Sequence, residues 1–252
     1  MKKAGVAVVI FLVVAGVAVT ILCLVIPDLP GKLSAGLRGD SGEPLSGGKP
    51  ASHWLNELRD PDAGIRQEAA YNLMLLLADE RHREALAPKA VPPLIAIVRN
   101  PDEDPTVRRV AVAALTPCTK HRDDLVPVFL EALHDNSHLV QQQAVLALGE
   151  AGCKEDQVIA ALMECLLDKE VGMARLTRSA LVKLAPESIP PLIEMLGDDD
   201  AFRRYRAGRV LFDIGPPAKP HLIKAINDGN SKRREEALTI LDQIRLKERQ
   251  ET

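Results

Sequence analysis

The sequence predicts an all-α chain: an α-solenoid of about six helical hairpins behind one N-terminal transmembrane helix. Three observations predict it. An Ala–Leu pair, four residues apart, recurs with a mean period of about 34 residues, in the range of helical repeats. The apolar content is aliphatic, with hydrophobic residues at 46% and aromatics at 3%, which suits helices better than β-sandwiches. The stretch Ala4–Ile26 contains no charged residue. Charge balance excludes other classes. With 32 basic and 35 acidic residues the net charge is −3, without the basic excess of a dedicated nucleic-acid binder. Four cysteines are too few for a disulfide scaffold.

The first element is the apolar run within residues 1–26. As a helix its 23 residues span roughly 34 Å, enough for a hydrocarbon core of about 30 Å. Lys2 and Lys3 before it place the N-terminus in the cytoplasm, so the repeat domain is expected outside it, on a single-pass cell-membrane protein. A cleaved signal peptide is the alternative, but its apolar region would be about 7–15 residues. Residues 27–50 follow as an expected disordered linker. They hold four prolines, six glycines and three serines, and bury too little apolar surface to fold.

The repeat region is residues 51–247, with a polar tail at 248–252. One column is Ala69, Ala111, Ala144, Ala180, Ala207 and Ala237. A second is Leu73, Leu115, Leu148, Leu184, Leu211 and Leu241. Nine residues before each Ala stand Asp60, Asp102, Asp135, Val171, Asp198 and Asp228. Three before it stand Arg66, Arg108, Gln141, Thr177, Arg204 and Arg234. Ala permits close helix approach, Leu fills the layer between units, and Asp can cap the second helix. The Arg column is expected to pair with an acid in its own or the next unit. The first helix of each unit has helical apolar spacing, as in Val91, Leu94, Ile95 and Val98. Prolines such as Pro92, Pro93, Pro190, Pro191 and Pro220 are expected to open these helices, because first-turn N–H groups lack acceptors anyway. Gly152 and Gly215 are expected as left-handed caps, and Trp54 and Leu55 as the seal of the first unit.

These columns resemble HEAT repeats, in the short bacterial form shared with phycobilisome-lyase-like proteins. The pattern stands here as Asp102, then Val107-Arg108-Arg109-Val110-Ala111, then Leu115. The resemblance covers about residues 51–245 and implies an armadillo-like superhelix. The fourth unit departs from it, with Val171, Thr177 and an offset Asp168 and Arg175. A break in the ladder is expected there.

No nucleophile motif or phosphate loop is present. His134 and His138 are separated by an Asp-Asn-Ser turn and share no helical face for a metal. Some HEAT-like hydroxylases bind iron through His-Glu dipeptides, and the chain contains none. The expectation is therefore a membrane-anchored, non-enzymic scaffold whose partner is another protein, with no cofactor, metal, nucleic acid or small substrate. The alternative is a bilin-lyase-like or redox enzyme on the same fold. Cys118 and Cys153 are expected as buried apolar residues, although a pairing stays open. The candidate partner-binding residues are Arg175, Arg178, Arg203, Arg206 and Arg209, since second helices line the concave side in the family the columns resemble.

Overall fold

The computed structural model describes residues 42–121, 124–227 and 229–251. The expected transmembrane run at 4–26, most of the linker, and the column residue Asp228 lie outside them. Among the described residues no helix is long and apolar enough to cross a membrane.

A two-stranded antiparallel hairpin comes first, β1 (Leu45–Ser46) and β2 (Lys49–Pro50). It falls in the stretch expected to be linker, and the reason is Trp54. That ring is 1% exposed, donates from Nε1 to the Ser46 carbonyl at 3.0 Å and lies under the Lys49 ammonium. The hairpin therefore covers the end of the solenoid that Trp54 and Leu55 were expected to seal. Leu55 packs against the core beside it.

Twelve helices follow among the described residues. They are α1 (Ala51–Glu57), α2 (Ala63–Ala78), α3 (Glu80–Val98), α4 (Pro105–Leu115), α5 (Leu125–Ala132) and α6 (His138–Ala151). Then come α7 (Asp156–Cys165), α8 (Val171–Lys183), α9 (Ile189–Met195), α10 (Ala201–Ile214), α11 (Lys219–Ile226) and α12 (Ser231–Glu251). Odd and even helices pair as six hairpins. The even helices pack in the order α2–α4–α6–α8–α10–α12, and the odd ones form the second layer. One hydrophobic core runs from Ala51 to Ile244. All six column alanines and all six column leucines are buried in it or beside it. The polar C-terminal residues continue α12 to Glu251.

The odd helices differ from expectation at α3. It begins at Glu80, so Pro88, Pro92 and Pro93 lie inside it and do not open it. Asp79 caps its first turn, and Leu86, Ala90, Leu94 and Ile97 form one buried stripe. That burial outweighs the backbone bonds the prolines cannot make. Pro190, Pro191 and Pro220 do sit in first turns. Gly152 takes the left-handed conformation at φ 68°, ψ 33°, whereas Gly215 has φ 72° with ψ −131°, a positive-φ turn outside that region.

Among the described residues, the Asp column does not cap the even helices. Asp60, Asp135 and Asp198 accept from the backbone N–H two residues on, shaping the turn. The caps are Asp62, Asp104 and Asp200. In the second unit the longer turn gives the shaping role to Asn100, which accepts from Asp102 N–H. In the fourth unit Val171 is 76% exposed, and Asp168 accepts from Glu170 N–H instead.

Arg66, Arg108 and Arg204 of the Arg column each lock their own turn and reach to the next unit. Nη1 of Arg66 donates to the Asp60 and Pro61 carbonyls, while Nε and Nη2 bind Glu103 at 2.9 and 2.6 Å. Arg204 repeats this with the Asp198 and Asp199 carbonyls and Glu236. In the last unit the Arg234 N–H bonds to the Asn230 carbonyl. Gln141 keeps only the first half, donating to the Asp135 carbonyl at 2.6 Å. Between the third and fourth units Gln142 donates from Nε2 to the Glu170 carboxylate at 3.0 Å. There the two even helices approach closely at Gly149. A Cβ on Gly149 would lie 2.7 Å from the Cβ of Ala180.

Candidate partner-binding face

The even helices alternate buried and open positions because each is amphipathic and packs on three sides. Their open rows form the candidate site. On the N-terminal half, two adjoining hollows of about 560 and 480 Å³ share Met74, Arg109 and Ala113 as lining. Tyr71 borders one and Leu75 the other, and these side chains are 50% and 45% exposed. Arg109 has no carboxylate at ion-pair distance among the described residues, unlike its neighbour Arg108. No motif marks this region in the sequence. Arg109 stands two residues before column Ala111, on the open side of the helix, and that register was the available signal.

The five expected arginines separate into two groups. Arg175 and Arg178 on α8, with Arg206 and Arg209 on α10, occupy one stretch of this face. Two cross-helix contacts fix their register: Arg206 Nη2 to the Asp168 carbonyl at 3.3 Å, and Arg178 Nε to Asp213 at 3.0 Å. Arg175 and Arg209 fall between those contacts along the paired helices. Arg206 lies 4.7 Å from the Phe202 ring centre, and Phe212 is approached by both Arg209 and Lys247 at 5.8 and 5.6 Å. Tyr205 beside them is 61% exposed. Arg203 is not part of this group. Its Nε sits 2.7 Å from Asp198 at the turn.

Among the described residues, Cys153 and Cys165 are free thiols. Cys118 is 1% exposed and Cys153 8%. Burial, aided by Glu155, pushes the Cys153 thiol up to about 11. Burial with Asp168 and Glu164 does the same for Cys165. Such thiols hold few thiolates at neutral pH, so they make poor redox nucleophiles. His138 faces Gln141 at 3.1 Å.

Six stacked hairpins with a continuous core define an α-solenoid repeat protein. Within it, residues 91–182, from inside α3 to α8, match the family model for HEAT repeats. No curated protein matches the chain. Among solved structures, a designed armadillo repeat protein in complex with the peptide (KR)4 is 17% identical, with a TM-score of 0.48, and 78% of this chain aligns with 100% of that one. An engineered protein is 19% identical over 78% and 96% of the two chains, with a TM-score of 0.48. The complex of CpcE and CpcF of phycocyanin lyase from Nostoc sp. PCC7120 is 20% identical over 80% and 78%, with a TM-score of 0.47.

Proposed function

We propose that this chain is a protein-binding scaffold whose partner docks along the even-helix face. In this reading, residues 4–26 anchor it in the membrane and the solenoid stands outside the cytoplasm. The observation that supports it most is the N-terminal half of that face. Exposed Tyr71 and Leu75 border adjoining hollows whose shared wall carries Arg109, which has no carboxylate at ion-pair distance among the described residues. Aromatic and Arg side chains on a rigid, open surface are the usual anchors of protein interfaces. A solenoid offers such a surface without a closed catalytic pocket, and the raised thiols speak against the redox alternative.

Co-precipitation of the full chain from its native membranes tests this. A Tyr71→Ala, Leu75→Ser, Arg109→Glu variant should lose the wild-type partner while keeping its helical circular dichroism. Retention of the same partner by the folded variant would contradict the reading.

A further inference from the structure

We propose that the α8–α10 stretch of the even-helix face recognises an acidic polypeptide segment. The proposal rests on the scaffold reading above and adds the chemistry of the partner. Five cations converge here, Arg175, Arg178, Arg206, Arg209 and Lys247, on a chain whose net charge is −3. Asp213 is the carboxylate drawn in, and Arg178 occupies it. Arg175 and Arg209 are exposed and have no carboxylate at ion-pair distance among the described residues. Arg206 Nε is buried and lacks a hydrogen-bond partner. Its guanidinium is held over Phe202, and Arg209 is held near Phe212. Stacked guanidiniums lose less freedom on forming bidentate bonds to carboxylates, so the patch is partly preorganised.

The surrounding surface favours a peptide over a nucleic acid. Phe202 and Tyr205 are exposed by 41% and 61% beside the arginines and give apolar side chains between acids a place to pack. A nucleic-acid site needs a longer basic stripe. On α12 Lys247 joins the cluster, but the exposed Glu235 and Asp242 interrupt the basic surface.

Fluorescence anisotropy tests the assignment. The full chain in mild detergent is titrated against a short labelled peptide alternating Glu or Asp with Leu, and against the same peptide with Lys replacing each acid. A labelled single-stranded oligonucleotide of matched charge is the third probe. The acidic peptide should bind, the Lys peptide should not, and added salt should weaken binding. Arg175→Glu with Arg209→Glu should weaken it about ten-fold or more, since two cations become repulsive. Lys89→Glu with Lys224→Glu makes the same charge change on the odd helices and should leave it unaltered. Both pairs are exposed, and circular dichroism verifies folding. Equal weakening by the two double variants, or tighter binding of the oligonucleotide, overturns the proposal. If the acidic peptide fails while the partner is still lost on substituting Tyr71, Leu75 and Arg109, this proposal alone falls. If that partner too is retained, the scaffold reading falls with it.

Discussion

Arg108 grips Asp135 of the following unit with two parallel bonds, from Nε at 2.8 Å and Nη2 at 2.9 Å. Its remaining nitrogen, Nη1, donates to the Glu103 carbonyl in its own turn. One side chain thus closes a loop and fastens two hairpins. The pair is 4% and 11% exposed. Removing one partner from a buried pair leaves the other charge uncompensated. Arg108→Ala should therefore cost about 3 kcal/mol, measured by urea unfolding. Arg99 with Glu131 spans the same two units, but Arg99 is 50% exposed. Solvent already screens that pair, so Arg99→Ala should leave the urea midpoint nearly unchanged.

The ladder carboxylates set a pH response. Burial pushes the Asp135 carboxyl up, but Arg108 and the Ser137 N–H outweigh it and hold it below its ordinary value. Glu103 behaves alike, with burial opposed by Arg66 and the Asp104 N–H. The hydrogen bond from Arg81 lowers Asp79 from 3.8 to about 2. Groups depressed on folding stabilise the protein above their unfolded values, and that stability is lost as pH falls through the folded ones. Thermal midpoints should hold from neutral pH to around 4 and then drop toward 2. Arg108→Ala should make the drop shallower. A flat profile to pH 2 would contradict the ladder's role.

Gly149 is expected to tolerate no side chain. A methyl there would meet the Ala180 Cβ at 2.7 Å and its Cα at 2.9 Å, and backbone cannot step aside as a flexible chain end would. Gly149→Ala should lower stability by roughly 1–3 kcal/mol despite Ala's better helix propensity. Pairing it with Ala180→Gly should recover part of the loss. No recovery would show that the two helices do not meet there.

The thiols should be silent in the folded state. In a Cys23→Ser background, Cys118, Cys153 and Cys165 should react slowly with a disulfide reagent at neutral pH and quickly in denaturant. Fast reaction of the native protein would contradict the burial that raises Cys153 and Cys165 to about 11.

The repeat frame was legible because burial writes a period into sequence. Ala69 and its five counterparts hold one position in one layer, and a single substitution there would open or crowd a helix contact. The turn chemistry was less legible. Asp60 and Asp62 are the same residue type two positions apart, and composition does not say which one caps α2. Asp168 was visible only as an offset, because α8 starts three residues earlier than its columns imply. The start of α3 was hidden by its prolines, whose local cost is outweighed by burial contributed from other units. The arginine cluster was found by composition. The pairing of Arg203 with Asp198 was legible too, because the acids at 198–200 stand just upstream of the arginines.

Site-specific photo-cross-linking in cells tests the scaffold reading most directly. A photoreactive residue is placed at Tyr71, Leu75 or Tyr205 on the even helices, and at Lys89, Lys224 or Ile223 on the odd ones, all exposed. One discrete partner adduct is expected from the even-helix positions and none from the odd-helix positions. An adduct formed only from the odd helices would contradict the scaffold reading.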